Sequence, residues 1–325
     1  MFRNNRVLEV VNNGELARHT ATINRVIIAL SHIAGLSDIK ILRCIADNQD
    51  YLAHEYTGVE LVANITTKKY PQGLSKDQWF DLLANADNDI AEANKLGLVL
   101  VSFIEDGYPQ TLRQLNFKGN PSFPPMLYVR GSVAYLSHKA LAVVGTREPD
   151  QFGIDITKRY VDFFTDIDYV IVAGLAKGVD TVAHQQTVAN HKPTVAWMAG
   201  GFDSPIYPKQ NAALADDIVA NHGALVWTRP FGAGVSGRDF VVRDNYQAGM
   251  SDATIAVETD IKGGTTHTMQ NTLDQNKPLA CPDRFKYDGF IPNICRGTDL
   301  AIKDGRAMGL HTHQDVFDFA DSFVK

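Results

Sequence analysis

The chain has 325 residues, 45% of them hydrophobic and 21% charged, which suits about two globular domains and excludes collagen-like, disordered and solenoid classes. Its formal net charge is −6 and its pI about 5.9, so the surface as a whole is not cationic and any nucleic-acid role must rest on a local basic site. Three cysteines, Cys44, Cys281 and Cys295, form no CxxC pair and leave an odd count, which argues for reduced thiols in a cytoplasm rather than a disulfide framework. Charges and asparagines interrupt residues 1–11 where a signal peptide needs an apolar core, and no run approaches ~20 apolar residues. A soluble, cytoplasmic protein is expected.

In chain order, residues 1–22 are polar and irregular, and the first periodic signal is Ile23, Val26, Ile27, Leu30 and Ile33. These spacings of three and four put the apolar groups on one helical face. Gly35-Leu36-Ser37-Asp38 then breaks the helix before a second begins at Ile39, Leu42 and Ile45, giving a small helical hairpin. A helix-hairpin-helix DNA binder holds a phosphate on the amides of a GxG-type turn, but Ser37 stands at the second glycine position, which favours a hairpin that only packs. The pattern is weak over 48–75. Residues 77–95 read as a helix with Trp79, Leu82, Leu83, Ile90 and Ala93 inward, stopped by Gly97, and 98–104 as a strand.

After the proline-marked passage 121–125, strands and helices alternate with short turns. Strands are expected at 126–131, 141–145, 168–174, 194–200, 224–228, 252–258 and 278–281. Helices are expected after Pro149 and over 177–189, 207–221, 239–248 and 266–275. Such alternation needs right-handed βαβ crossovers, and hence a doubly wound, mainly parallel α/β sheet covered on both faces. A small N-terminal helical domain over 1–100 is expected to precede this domain over 101–325.

The chemistry-bearing residues fall at the carboxyl ends of these strands, where free amides and helix N-termini converge. The apolar run from Leu141 to Val144 ends in Gly145-Thr146-Arg147, which suits a phosphate although it lacks a full GxGxxG or GKS/T pattern. The next strand is followed by Gly174, Lys177, Gly178 and Asp180, where two glycines would let amides approach an anion and the lysine adds charge; Asp180 could equally cap its helix. Gly200-Gly201-Phe202-Asp203 and Tyr207-Pro208 follow the third. Arg238, Arg243 and Asn245 lie near a helix entry, and Lys262-Gly263-Gly264-Thr265 opens another helix just after Glu258. Four glycine-marked strand ends with cations nearby favour a binding crevice over ordinary turns.

At this point the chain resembles the DNA-processing protein A family, DprA or Smf. The matching residues are Tyr108-Pro109, the run from Leu127 to Gly131, the run from Val144 to Pro149, and the run from Gly174 to Asp180 with His184. They continue through Gly201-Phe202-Asp203, the run from Ile206 to Asn211, Phe240 with Arg243 and Asn245, Gly264-Thr265, and Gly297 to Gly305. The resemblance implies an N-terminal SAM-like module, a Rossmann-like domain and single-stranded DNA as ligand. Gly145, Thr146, Arg147, Gly174, Lys177, Gly178, Arg238, Arg243, Asn245, Lys262, Gly264 and Thr265 would meet phosphates, sugars or bases, with Phe202, Tyr207 or Phe240 as stacking platforms. It also implies a homodimer and delivery of the strand to a recombinase of the RecA type in natural transformation. The residues up to Lys325 leave no room for the winged-helix module of many members.

Two other classes stay open. The same fold in phosphoribohydrolases cleaves an N-glycosidic bond with a carboxylate near a glycine-rich loop, a part that Glu258 could play, although no second acidic residue completes a paired motif. A sensor of a nucleotide signal in a defence system would use the same pocket for a small molecule. Neither a cofactor nor a metal is expected: His311 and His313 are two apart, the other histidines lack ligand spacing, and no Ser-His-Asp or Cys-His pattern occurs. The chain is therefore expected to bind rather than to catalyse.

Overall fold

A computed structural model describes Val7 and residues 16–54, 74–117 and 120–323. Most of the expected irregular start over 1–22, and most of the weakly patterned 48–75 stretch, lie outside the described residues, but 16–22 are helical where an irregular stretch was expected: a 3-10 turn over Leu16–His19 runs into the first helix. The chain divides into two compact units: Met1–Arg130 with Gly200–Ser204 and Trp227–Val235, and Gly131–Ala199 with Pro205–Val226 and Ser236–Lys325. The division expected at 100/101 falls inside the first unit.

In the first unit the predicted hairpin is α1 (Thr20–Ser31) and α2 (Asp38–Asp47). Helix α1 buries Ile23, Val26, Ile27, Ile28, Ala29 and Leu30, a wider face than the spacing of three and four alone marks out. Helix α3 (Lys76–Lys95) starts at a capping box in which Ser75 and Gln78 satisfy each other's backbone amides, and it buries Trp79, Leu83, Ala86 and Ala93. Asp89 is also buried there, accepting from His32 Nε2 at 3.0 Å and from the Phe231 amide at 3.2 Å. Strand β1 (Leu98–Ser102) pairs antiparallel with β2 (Met126–Gly131), Leu100 opposite Tyr128.

The second unit is the expected doubly wound sheet. Its strands are β3 (Ala140–Val144), β4 (Val170–Ala173), β5 (Thr194–Trp197), β6 (Ala224–Trp227), β7 (Ala253–Ala256), β8 (Leu279–Pro282) and β9 (Met308–Leu310). They lie in the order β6-β5-β4-β3-β7-β8-β9, each neighbouring pair parallel. Strands β3 to β8 are buried along their whole length, as a parallel sheet covered on both faces requires. Helices α4 (Gln151–Asp166) and α5 (Val179–Ala189) pack together, as do α7 (Gly237–Met250) and α8 (Thr265–Asp274), with α6 (Ala212–Ala220) leading into β6.

From β3 the chain winds outward through β4, β5 and β6, then returns to place β7 on the other side of β3. That reversal parts the loops beyond the carboxyl ends of β3 and β7 and opens a crevice between them.

Four elements of the second unit were not expected: α9 (Arg284–Asp288), α10 (Arg296–Lys303), β9 and the helix that follows it, α11 (His313–Asp321). Strand β9 is three residues long, too short to show an alternation. It extends the sheet, and α11 then buries Val316 and Phe319 in the cluster of Leu141, Val143, Ile156, Phe164 and Ile255. The Phe319 ring meets Phe164 edge-on at 6.4 Å, so α11 packs on its own unit. Replacing Phe319, 1% exposed, by Ala should therefore cost about 3–5 kcal/mol. Urea unfolding checks this through a lower midpoint at unchanged slope; a loss under ~1 kcal/mol would mean the tail is not part of the core.

Candidate functional site: a crevice at the strand ends

The loops beyond β3 and β4 are held backbone to backbone. Val179 N donates to Thr146 O at 3.2 Å, while Thr146 N donates to the Glu258 carbonyl at 2.7 Å beyond β7. Gly178 has φ +77°, and a Cβ there would sit 2.3 Å from Thr146 O, so only glycine permits this approach. The contact brings Arg147 and Lys177, both exposed, to one mouth with Ala176, Tyr207, Pro208, Phe240 and Arg243. Tyr207 is 57% exposed and its ring stands edge-on to Phe240 at 5.8 Å.

Behind this mouth lies a cavity of about 560 Å³, within the usual range for a small-ligand site. It is lined by Gly145, Thr146 and Arg147 from the β3 loop, by Phe240, Arg243, Asp244 and Gln247 from α7, and by Gly264, Thr265 and His267 at the start of α8. The first turn of α8, which borders the cavity, carries no carboxylate and no side-chain cap, and Asp260 also lines the cavity.

Arg243 is 8% exposed. Its Nη1 donates to Gly174 O at 2.6 Å, its Nη2 to Asp244 at 3.3 Å, and its guanidinium lies 5.5 Å from the Phe240 ring centre. A Cβ on Gly174 would come within 2.4 Å of that guanidinium carbon. Asp180 accepts from the Gly174 and Ala176 amides at 3.0 and 3.2 Å. Burial pushes its carboxyl up, against the pull of Arg243 and the two amides. Burial also pushes Asp244 up, to about 6, again opposed by Arg243.

These contacts correct part of the expected anion site. The nest at 174–178 is filled by the chain's own Asp180, so the Gly174 amide offers nothing to a phosphate, and Gly178 serves the loop contact. Phe202 is 4% exposed in the first unit, its ring 4.7 Å from Tyr128 and 5.9 Å from Phe231, with no face left for a base. Arg238 and Lys262 are exposed but do not line the cavity, and Asn245 instead accepts from Gln275 at 3.4 Å. Gly145, Thr146, Arg147, Lys177, Phe240, Arg243, Gly264 and Thr265 do come together. The sequence reading missed Asp244, Gln247 and His267. A signal existed for two of them: 240, 243, 244 and 247 follow the i, i+3, i+4, i+7 pattern, which puts Arg243, Asp244 and Gln247 beside Phe240 on one face of α7.

Glu258 turns away from the crevice. Its side chain is fully buried between Arg284, at 3.3 Å, and the Asp150 amide, at 3.3 Å, with the Cys295 thiol at 3.8 Å. Burial, then the neighbouring Asp150 carboxylate, pushes its carboxyl up to about 7, with Arg284 opposing. Arg284 also donates to Asp150 at 2.9 and 3.1 Å, and with the Gly153 amide it holds Asp150 below the usual range against the upward push of burial. Among the described residues no group of His, Cys, Asp and Glu could hold a metal ion, and no helix is long and apolar enough to cross a membrane.

A carboxyl raised on folding is stabilising while protonated. The Glu258 contribution is therefore complete below its unfolded value near 4.5 and is lost as pH rises through about 7. The difference in unfolding free energy between the parent and Glu258→Gln, measured in urea at pH 4.5 and 8, should shift by roughly 1–3 kcal/mol in that sense. A pH-independent difference would place the carboxyl's titration elsewhere.

A parallel sheet with a switch-point crevice, glycine-lined loops and cations at its mouth defines a Rossmann-like α/β protein. The chain belongs to the DNA recombination-mediator protein A family, whose profile matches residues 99–321. The DNA processing protein DprA of Bacillus subtilis (strain 168) is 27% identical over 230 residues, covering 69% of this chain and 75% of that protein. The DprA of Streptococcus pneumoniae is 29% identical over 216 residues, 66% of this chain and 72% of that one. Protein Smf of Synechocystis is 27% identical, and the match spans about half, 51%, of its length. The X-ray structure of S. pneumoniae DprA superposes with TM-score 0.73 at 21% identity, covering 91% of this chain and 97% of that one. That of Helicobacter pylori DprA, described for its single-stranded DNA binding mode, gives 0.59 at 22% identity, covering 69% and 97%. Both likenesses concern the fold.

Proposed function

We propose that the crevice of the second unit binds single-stranded DNA without turning it over, with Arg147 and Lys177 on the phosphates and Tyr207 and Phe240 as platforms for bases. The observation that carries this reading is the pairing of two exposed cations with the exposed Tyr207 ring and the half-buried Phe240 ring at one mouth. Phosphates need cations in a groove and unpaired bases need π-faces, and a duplex offers no free base face. Membership of a recombination-mediator family supports it, as does the strand binding described for the H. pylori relative. Binding without hydrolysis is supported by the placement of Glu258, the carboxylate that the hydrolase reading needs, which faces Arg284 outside the cavity lining.

Fluorescence anisotropy should show tighter binding of single-stranded than duplex oligonucleotides, falling as salt rises. Arg147→Ala should cost about 1–3 kcal/mol and lower the salt slope by about one, with the fold intact because the side chain is exposed. Parent-like binding by the folded variant, or release of free base from nucleoside monophosphates, would overturn the assignment. The family reading extends to a cytoplasmic homodimer that hands the strand to a recombinase of the RecA type. Two crevices on one strand would raise apparent affinity through effective concentration. Light scattering should accordingly give a dimer mass at micromolar protein; a monomer mass with and without oligonucleotide would exclude it.

A further inference from the structure

The floor of the cavity carries hydrogen-bond chemistry that a phosphate does not use. Asp244 Oδ1 accepts from Arg243 at 3.3 Å and from Gln247 at 3.4 Å, while its Oδ2 takes no hydrogen bond from any described residue. On Asp180, Oδ2 takes both amides and Oδ1 takes none from the described residues. Of the five guanidinium N–H groups of Arg243, one serves Gly174 O and one serves Asp244, and the buried Nε has no acceptor. The floor thus sets a carboxylate with open acceptor sites directly beside a guanidinium with open donors, next to the Phe240 ring.

A phosphate lodged there would meet two carboxylates at close range, which like charge opposes. What fits is a planar ring whose edge carries donors beside an acceptor. Guanine presents N1–H and the N2 amino group next to O6, two donors for the two oxygens of one carboxylate, of which Asp244 Oδ2 is open and Oδ1 is held only by the long contacts of 3.3 and 3.4 Å. Adenine and cytosine offer a single amino donor. Thymine offers one N–H flanked by two carbonyls, which a carboxylate repels.

We propose that the floor reads the base of a bound strand and prefers guanine, with Asp244 accepting from N1–H and N2–H, Arg243 donating to O6, and Phe240 against the ring. The proposal rests on the strand-binding reading of the same crevice and adds its specificity. Division of labour follows: exposed cations at the mouth hold any strand, and the enclosed pair on α7 selects what sits behind them. Asp244 is then a specificity-determining residue, and ionised at pH 7.5 with its carboxyl near 6.

The test is anisotropy at pH 7.5 with a 20-nucleotide oligothymidine strand and the same strand carrying isolated guanines, or hypoxanthines, which lack the N2 amino group. Isolated guanines cannot form quadruplexes. The guanine strand should bind about tenfold more tightly than oligothymidine, the order expected of one good bidentate contact, with hypoxanthine between them. Asp244→Asn exchanges an acceptor for a donor and should bring the guanine-to-thymine ratio near one. If that variant does not fold, the hypoxanthine series on the parent protein still decides. Equal affinities for the three strands overturn base reading and leave strand binding standing, whereas no affinity for any of them overturns both. A guanine preference that survives in the folded variant removes Asp244 from the role.

Discussion

One peptide group holds the crevice in register. The amide of Thr146 donates to the carbonyl beyond β7, and its carbonyl accepts from the first residue of α5 beyond β4, so three strand ends are tied through a single residue. Both bonds join the half-buried Thr146 to a buried residue, and leaving the buried partner unpaired would cost the desolvation of a polar group, about 1–3 kcal/mol. The bare Cα of Gly178 makes the approach possible. Arg147 and Lys177, thirty positions apart in the chain, share a mouth because of this contact.

Around that knot the charges are arranged in layers. Exposed cations stand at the rim, while inside it Arg243 donates to the Gly174 carbonyl and to Asp244, and its charge acts on Asp180, which itself accepts from the Gly174 amide. A buried charge is tolerable only when paired, and here the pairing is incomplete on the cavity side, where acceptor and donor sites stay open. The rim suits a polyanion of any sequence. The interior is polar without being cationic, so it discriminates by hydrogen-bond pattern instead of charge.

Behind the β7 loop, Arg284 gathers Asp150, Glu258 and Asp288, linking the N-cap of α4, the end of β7 and α9. This cluster sets the orientation of Glu258: its backbone carbonyl serves the crevice and its carboxylate serves the scaffold. The hydrolase reading required the opposite arrangement. Position after a strand end, which is all the sequence offered for Glu258, does not distinguish a side chain facing the crevice from one facing inward.

The sequence by itself determined the alternation of strands and helices, the parallel sheet, and the strand ends at which chemistry collects, because apolar runs and glycine breaks are local signals. It also marked Arg147, Lys177, Phe240 and Arg243, cations and an aromatic beside those breaks. Tertiary structure alone decided which of these residues act together. The glycine loop at 174–178 reads as an anion nest until Asp180, six positions on, is seen to occupy it, and Phe202 reads as a platform until Tyr128 and Phe231 cover it. The short strand β9 and the helix after it were hidden for a related reason: three residues show no period, and the sheet edge that orders them is made by residues nearly thirty positions earlier. Patterns of period two or 3.6 lie within one segment, whereas the occupant of a loop or a ring face comes from a distant one, and that choice is made only when the chain packs.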